Sequence, residues 1–303
     1  MRAMRIGING SSQMNSLDAI IEGATAAASD GFSSFWLAQI FNTDALVSIA
    51  VAARQVEGIE FGTAVVPIQP RHPQALASQA LTTQAASGNR LTLGIGLSHQ
   101  FVVEHMWGLP FDRPVRHMRE YLEALQPLLR GEASDTHGEI VTSVGAVEVA
   151  GVEAPSVLVA ALGEQMLKVT GRLADGTITW CTGPETLRTH IVPTIAAAAE
   201  AAGRPAPRIV ASLPIVLTDD VAGAKEFVAQ SLQIYGQLPS YRAMLDREGA
   251  GDASDIAIIG DEARAFEVLE ELRSAGVTDF GAAEMGRTPD EVDRTRAFLR
   301  SQL

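Results

Sequence analysis

The chain has 303 residues, of which 47% are hydrophobic and 19% are charged, so it can bury a large core as a globular protein. Its formal net charge of −13 argues against nucleic acid or an anionic membrane surface as a partner, because the protein repels phosphate at long range. A single cysteine, Cys181, excludes an internal disulfide, and the absence of a signal-like or membrane-spanning apolar stretch leads us to expect a cytoplasmic protein.

Short apolar runs of strand length alternate with helical patterns along the chain. Strands are predicted at residues 4–8, 35–38, 59–66, 91–95, 157–161, 177–180, 209–217 and 280–283. Helices are predicted at residues 17–29, 43–54, 73–87, 114–129, 164–173, 184–202, 221–244 and 289–303. Strict alternation favours an α/β fold with a parallel sheet, and eight such units favour its closure into a (β/α)8 TIM barrel. No linker or repeat interrupts the pattern, so one domain, 1–303, is expected.

Three stretches depart from this alternation. Residues 98–110 form a long loop after the fourth strand, and residues 132–151 have the alternating pattern of a β-hairpin before the fifth strand. Residues 256–259 are either an additional short strand or a buried entry to a helix at 262–274. The first two are the predicted insertion loops of the barrel.

The segment 61–99 points to a ligand site. Its two predicted strands end in loops, the first stiffened by Pro67, Pro70 and Pro73, the second opened by Gly94 and Gly96. In parallel α/β folds, ligands bind at the carboxyl ends of the strands. The chemistry is therefore expected at this end of the barrel.

Two junctions between a strand and a helix have the composition of anion sites. Residues 160–164 and residues 180–184 enter helices through small residues, which leaves backbone N–H groups free to face an anion, and Thr182 adds a hydroxyl. Short loops of this kind also use small residues for purely structural reasons. Both interpretations stay open for each junction.

Other chemistries have little support. His99, Glu104 and His105 do not have the spacing of metal ligands on one helix face, so no metal is expected. Gly94 and Gly96 lack the third glycine of the dinucleotide-binding fingerprint, and no G-x-S-x-G motif of a hydrolase occurs.

Several segments together are similar to one known family. They are GFSSFWLAQ at 31–39, GTAVVP at 62–67, RHP at 71–73, SGNRLTLGIGLSH at 87–99, AALGEQMLKVTGRLADGTITWCTGPETL at 160–187 and IIGDEARAFEVLEELRSAGVTDF at 258–280. As a set they resemble the bacterial-luciferase-like superfamily, and within it the oxidoreductases that use the deazaflavin coenzyme F420. The resemblance covers nearly the whole chain.

The resemblance implies where a cofactor binds. In this family the cofactor lies at the carboxyl-terminal rim of an eight-stranded barrel, and a cis peptide bond, which matches Ala64–Val65 here, lies behind the deazaflavin ring. The matching cofactor residues are Ala64, Val65, Gly96, Leu97, Ser98, Ala160, Ala161, Leu162, Gly163, Thr182 and Gly183.

The family's sugar-phosphate dehydrogenases carry acid/base residues that this chain lacks. Ala38 and Gln39 stand where those enzymes have Asp-His, and His99 stands in the loop where they have a glutamate. Sugar-phosphate oxidation is therefore not expected. As catalytic candidates, Gln39 is predicted to hydrogen-bond the ring or substrate, and His99 either protonates the substrate or packs against the rim.

Large side chains near the predicted rim are candidate walls of a substrate pocket, although such residues also serve as core plugs: Phe41, Phe101, Met106, Trp107, Trp180 and Met285. Arg71 or Arg90 is a candidate for meeting the cofactor's acidic tail, with a structural ion pair as the alternative for Arg90.

The resemblance thus implies an F420-dependent oxidoreductase that transfers hydride between deazaflavin C5 and a small organic molecule, such as an activated alkene, an imine or a carbonyl compound. One alternative is an FMN-dependent monooxygenase that reacts with O2. The alternative of another class is a cofactor-free, non-catalytic binding barrel. A homodimer is expected because dimers are usual among similar proteins.

Overall fold

A computed structural model describes residues 4–11, 13–39 and 41–303. Its strands are β1 (Arg5–Asn9), β2 (Ser34–Leu37), β3 (Glu60–Thr63), β4 (Val66–Pro67), β5 (Leu91–Gly96), β6 (Ser134–His137), β7 (Thr142–Gly145), β8 (Ser156–Val159), β9 (Gly176–Trp180), β10 (Arg208–Leu217), β11 (Ile258–Gly260) and β12 (Asp279–Glu284). Parallel pairing runs in the order β1, β2, β3, β5, β8, β9, β10 and β12, and β12 pairs with β1 again. This closed arrangement confirms the predicted (β/α)8 barrel.

Helices surround the barrel and follow its strands. They are α1 (Leu17–Ser29), α2 (Ala45–Ala53), α3 (Pro73–Ala86), α4 (Pro114–Leu129), α5 (Glu164–Leu173), α6 (Pro184–Thr186), α7 (Val192–Ala201), α8 (Val221–Ser231), α9 (Pro239–Glu248), α10 (Glu262–Ser274) and α11 (Pro289–Ser301). Side-chain caps mark several starts: Ser16, Asp44 and Asp261 each accept a hydrogen bond from the backbone N–H three residues later. None of the described helices combines the length and the apolar character needed to cross a bilayer.

Two helices predicted as continuous are interrupted. The helix predicted at 221–244 divides into α8, a 3-10 turn at Gln233–Gln237, and α9. Pro239 causes the division, because it lacks an N–H and disfavours helical backbone at the residue before it. The helix predicted at 184–202 contains a π-helical turn, Leu187–Ile191, where the Val192 N–H bonds to the carbonyl of Leu187. Pro193 lies next to this turn and has no N–H to continue the regular pattern.

The other irregular stretches take the following forms. The predicted hairpin is confirmed as the antiparallel pair β6–β7, and it is fixed to α4 by the buried Glu120 carboxylate, which accepts the N–H groups of Ile140 and Val141. The loop at 98–110 contains a π-helical turn, Val102–Met106, rather than irregular chain only. The apolar run at 256–259 leads into β11, which pairs with β10.

The barrel lumen is filled in layers because side chains alternate along each strand. At the amino-terminal end lies the lower layer, formed by Arg5, Glu60, Thr92, Arg208 and Asp279. Above it lies an apolar middle layer of Trp36, Leu158, Ile178 and Val210, all buried. These side chains close the lumen below its carboxyl-terminal mouth.

The Trp36 ring depends on a glycine on the neighbouring strand, because Gly62 of β3 is paired with Trp36 of β2. A Cβ on Gly62 would lie 2.1 Å from Cε3 of Trp36, so no other residue fits there without moving the ring. The indole N–H donates to the hydroxyl of Ser34 at 2.8 Å, which fixes the ring's orientation. Trp36 therefore forms a fixed floor for the mouth.

Candidate functional site

The mouth of the barrel lies above the Trp36 layer and is lined mainly by small residues. Continuing the alternation of each strand upward brings these to the lumen: Ala38, Ala64, Gly96, Ala160 and Ala283. Asn9, Trp180 and Ser212 are the larger side chains in the same positions of their strands. None of these lumen positions, among the residues that the structure describes, carries a charge. The mouth thus offers uncharged space of the kind that ligand pockets use.

The Ala64–Val65 peptide bond is cis, as the resemblance implied. It separates β3 from β4, so the single strand predicted at 59–66 is interrupted at this point. Thr63 replaces the missing ladder contacts, because its hydroxyl donates to the Gly94 carbonyl at 2.7 Å and accepts the Gly94 N–H at 2.8 Å. On the other side, the N–H of Gln39 bonds to the Val65 carbonyl at 3.2 Å.

Gln39 is half-buried at the end of β2, and part of its side chain is already engaged. Its Oε1 accepts the N–H of Ala45 at 3.2 Å, which fixes the start of α2. The amide hydrogens have no acceptor among the described residues. The Gln39 amide is therefore able to donate, but not freely able to accept, a further hydrogen bond.

His99 lies at the rim, and its environment favours the neutral imidazole. Its ring centroid is 6.0 Å from that of Tyr241, and burial lowers the pKa of His99 from its usual value. The preceding residue, Ser98, has a left-handed backbone with φ 57°, which is uncommon for residues other than glycine. Such conformations concentrate at functional sites.

An aromatic cluster beside His99 was missed by the sequence analysis. The ring of Tyr235 contacts those of Tyr241 and Trp180, with centroid distances of 4.9 and 6.0 Å. Burial raises the pKa values of both tyrosines, so they stay protonated at neutral pH. The signal that was available is Pro239, which breaks the predicted helix and so brings Tyr235 to the rim.

The start of α5 has the open N–H groups predicted for an anion site. Gly163 occupies the cap position without a side-chain hydrogen bond, and a Cβ placed on it would meet no atom within 4 Å. His190 Nε2 lies 2.8 Å from the Leu162 carbonyl oxygen and so supports the loop from below. The first turn of α5 therefore presents unshielded backbone donors at the rim.

The start of α6 differs from the prediction. The carboxylate of Glu248, on α9, accepts the N–H groups of Glu185 and Thr186 at 3.1 and 2.7 Å. The hydroxyl of Thr182 donates to the Trp180 carbonyl at 3.3 Å, and the neighbouring Gly183 is covered by Glu248. The expectation of a free helix start here is wrong, because the protein's own carboxylate occupies it and adds a negative charge.

The predicted pocket walls fall into two groups. Phe41, Phe101 and Met106 are 62%, 65% and 52% exposed, and Phe101 packs on His105 with centroids 5.1 Å apart. Trp107 is half-buried, whereas Trp180 and Met285 pack against the core. The first three give the protein an exposed apolar surface in the loops after β2 and β5.

The two candidate arginines have structural roles in the described structure. Arg71 pairs with Asp44 at 2.9 Å and donates to the Pro67 carbonyl at 3.2 Å. Arg90 precedes β5, at the amino-terminal end of the barrel, and donates to three backbone carbonyls. Its proposed contact with a cofactor tail is wrong, because the rim is at the other end of the strands, and its partners are carbonyls rather than an ion-pair partner.

Cys181 follows β9 and has a left-handed backbone with φ 48°. Its thiol is buried, and burial raises its pKa, so it is not a thiolate at neutral pH. Across the described ranges, no three His, Cys, Asp or Glu side chains come together in a group that could hold a metal ion.

The fold and this mouth define a ligand-binding parallel barrel whose site lies at the carboxyl ends of its strands. The family model of the luciferase-like monooxygenases matches residues 4–292. The chain belongs to that family.

Individual relatives include users of both cofactors. A 5,10-methylenetetrahydromethanopterin reductase of Methanolobus tindarius is 26% identical over 271 residues, which cover 89% of this chain and 78% of that protein. The coenzyme F420 dependent tetrahydromethanopterin reductase from Methanopyrus kandleri has a similar structure, with TM-score 0.80, 21% identity, and coverage of 99% and 98% of the two chains. The oxygenating constituent of 3,6-diketocamphane monooxygenase from Pseudomonas putida, solved with FMN, has a TM-score of 0.76 and 19% identity. That comparison covers 98% of this chain and 96% of the other. Membership in this family of oxidoreductases supports an enzymatic role, and of these relatives one is named for coenzyme F420 and one was solved with FMN.

Proposed function

We propose that this protein is a coenzyme F420-dependent oxidoreductase that transfers hydride between C5 of the deazaflavin and a small organic substrate, such as an activated alkene, an imine or a carbonyl compound. The observation that carries the proposal is the uncharged mouth above the Trp36 floor, where Ala38, Ala64 and Ala160 are small and Gly96 accommodates the Val65 side chain that follows the cis bond. The relatives named for F420 or for methylenetetrahydromethanopterin reduction support it.

The residues present fit such a cofactor at two places. The open first turn of α5, at Gly163, suits its phosphate, because backbone N–H groups and the helix dipole both favour an anion. Gly96 and Ala160 lie side by side at the ends of the neighbouring strands β5 and β8, where a Cβ on Gly96 would lie 3.4 Å from that of Ala160, so this wall of the mouth carries little side chain. When bound, F420 supplies the hydride chemistry.

The chain's own residues would position the reactants and handle protons. Gln39 has free amide hydrogens to donate to the ring or to the substrate. His99 stands at the rim as the titratable side chain for proton transfer to the substrate. The exposed Phe41, Phe101 and Met106 would cover the mouth and exclude water.

A fluorescence titration of the purified protein with F420 and, in parallel, with FMN tests the proposal. We expect saturable F420 binding and at least tenfold weaker FMN binding. The second candidate function, an FMN-dependent monooxygenase, is favoured by the structural likeness to the FMN-containing protein of Pseudomonas putida. Tight FMN binding without F420 binding would establish that alternative, and binding of neither would indicate a non-catalytic barrel.

A further inference from the structure

A buried histidine, His190, is hydrogen-bonded to the loop between β8 and α5. It is 7% exposed and lies in the π-helical turn Leu187–Ile191. Its Nε2 is 2.8 Å from the Leu162 carbonyl oxygen. Since a carbonyl oxygen only accepts, Nε2 carries a hydrogen and donates it. Turns of this kind are frequent at functional sites, and this one brings a donor to the loop that precedes the proposed anion site.

The peptide unit between Leu162 and Gly163 lies between two anchored segments. On the strand side, the Ala160 N–H bonds to a carbonyl of β5 at 2.9 Å. On the helix side, the Gly163 carbonyl accepts the Leu167 N–H at 2.9 Å. Among the described residues, the Leu162 carbonyl accepts a hydrogen bond from His190 alone. This unit could therefore rotate without disturbing the strand or the helix, and His190 is the group that holds it.

The same hydrogen bond sets the direction of the Gly163 N–H. Within one trans peptide unit the C=O and the N–H point in opposite directions, and the only cis bond of the described residues is Ala64–Val65. Because the Leu162 carbonyl turns to the buried His190, the Gly163 N–H turns away from that packed side. It has no acceptor among the described residues, and a Cβ built on Gly163 would meet no atom within 4 Å. The N–H is therefore a free donor in open space beside the first turn of α5.

Glycine at position 163 makes the opposite orientation of this peptide accessible. Reversing the unit changes φ of Gly163 from −76° to a positive value. Glycine adopts a positive φ readily, whereas alanine does so only at a cost. The reversed unit would present the Leu162 carbonyl, a partial negative charge, to an incoming anion. The chain thus allows two orientations, and the His190 hydrogen bond selects the one that donates.

We propose that His190 is a positioning residue for the cofactor: by holding the Leu162 carbonyl, it keeps the Gly163 N–H turned toward the phosphate of F420. The inference rests on the proposed function for the identity of the anion, whereas the orientation of the peptide is a property of the protein alone. His190 acts through the Leu162–Gly163 peptide and is not itself a contact of the anion. The sequence analysis named Leu162 and Gly163, but not the histidine that orients the peptide between them.

Fluorescence titration with F420 and with its phosphate-free deazariboflavin core tests the proposal. We expect His190→Leu and His190→Asn to weaken F420 binding by about 5- to 10-fold and to leave binding of the core unchanged. The amide of His190→Gln is longer by one methylene than that of His190→Asn and can donate to the same carbonyl, so it should restore most of the affinity. The matched control is Gln126→Leu, which removes a 2.9 Å side-chain hydrogen bond to the Leu173 carbonyl at the other end of α5 and should leave F420 affinity unchanged.

Gly163→Ala separates the orientation of the peptide from a general loosening of the loop. The added Cβ has room in the observed conformation, but it disfavours the positive φ of the reversed peptide. The effect of His190→Leu on F420 affinity should therefore be smaller, by about threefold, in the Gly163→Ala background than in the unaltered protein.

Three results would overturn the proposal: equal F420 affinity of His190→Asn and the unaltered protein, an equal loss for F420 and for its core, or a similar loss in Gln126→Leu. A His190→Leu effect that Gly163→Ala leaves undiminished would overturn it as well. If FMN binds and F420 does not, FMN and riboflavin, which differ by the phosphate, replace the two ligands. If neither cofactor binds, the proposed function fails, and NMR scalar couplings of the Gly163 amide proton, which report φ, still test the peptide: the same φ in His190→Leu and in the unaltered protein would contradict the role of His190.

Discussion

The two ends of the barrel lumen are built from the same strands but in opposite ways. At the amino-terminal end, Arg5, Glu60, Arg208 and Asp279 join across the lumen in a network in which every charge has an opposite partner. At the carboxyl-terminal end the corresponding positions are uncharged and, apart from Asn9 and Trp180, small, and polar atoms of Asn9 and Ser212 lack partners among the described residues. The charges at the amino-terminal end are paired within the protein, whereas the carboxyl-terminal end leaves polar atoms without a partner among the described residues.

This difference separates stability from function within one lumen. Arg208 donates to Glu60, Thr92 and Asp279. Removing it therefore leaves two largely buried carboxylates without this partner. Changes at the mouth expose no such group. Substitutions in the lower layer should therefore act on folding, and those at the mouth on binding and turnover.

The largest effect is expected for Arg208→Met. It leaves Glu60 and Asp279 with only Arg5, so we expect the free energy of unfolding to fall by about 3–5 kcal/mol, as for a broken buried ion pair. Urea denaturation measures this loss. The control is Arg294→Met, which breaks a surface pairing with Glu262 and should cost about 1 kcal/mol or less. Equal losses for the two variants would remove the distinction between the lower layer and the surface.

The next effect concerns His99 at the mouth. We expect His99→Asn to reduce hydride transfer from reduced F420 by about 100-fold, with F420 affinity unchanged, because proton transfer by a placed side chain contributes such factors. Since burial lowers the pKa of His99, the rate of the unaltered protein should rise as the pH falls below the usual value of 6.5. Stopped-flow absorbance across pH measures both.

The control for His99 is His105→Asn, which alters an exposed ring stacked on Phe101 in the same loop. It should leave the pH profile intact. If His99→Asn keeps both its rate and its pH dependence, His99 packs against Tyr241 and takes no part in proton transfer.

A smaller effect is expected at the start of α5. Gly163→Asp should cap the helix and raise the free energy of unfolding by a few tenths of a kcal/mol, yet weaken F420 binding about 10-fold, because its carboxylate takes the donors and repels phosphate. Gly163→Asn caps equally well without a charge. A fluorescence titration in which the two variants bind F420 equally would contradict an anion site here.

The sequence predicted the barrel and much of its rim because both depend on local patterns. Each of these features can be recognised from its own segment of sequence: the apolar runs of β5 and β10, and the glycines Gly96 and Gly163. The position of the Ala64–Val65 bond came from the family resemblance, since no propensity predicts a cis bond before valine.

The remaining features depend on contacts between distant segments. Glu248 closes the start of α6 from 62 residues away, which no motif at 180–184 reveals. The Asn9 and Ser212 side chains both lie over Gly281 only because β12 lies between β1 and β10. Tyr235 was hidden by the prediction of a continuous helix, although Pro239 signalled its end.

The last prediction is a pair of opposite pH dependences. Glu60 loses solvation on burial, but Arg208, Thr92 and Arg5 outweigh this, so the pKa of Glu60 lies below its usual value of 4.5. An acid with a lowered pKa stabilises the fold above its unfolded pKa and loses this contribution as the pH falls. The unaltered protein should exceed Glu60→Gln in unfolding free energy by about 1–3 kcal/mol at pH 7, and the gap should narrow as the pH falls below 4.5.

Glu284, at the carboxyl end of β12, provides the opposite sign. Burial raises its pKa more than Arg296 lowers it, so the folded protein favours the protonated acid. Its contribution to stability is present at low pH and is lost as the pH rises above 4.5 toward the raised pKa, so Glu284→Gln should gain stability relative to the unaltered protein over that interval. Urea denaturation of both variants between pH 3 and 7 measures the two slopes. If the unfolding free energies of the two variants, relative to the unaltered protein, changed with pH in the same direction, Arg208 would not hold Glu60 ionised. The charges of the lower layer would then not be paired within the protein.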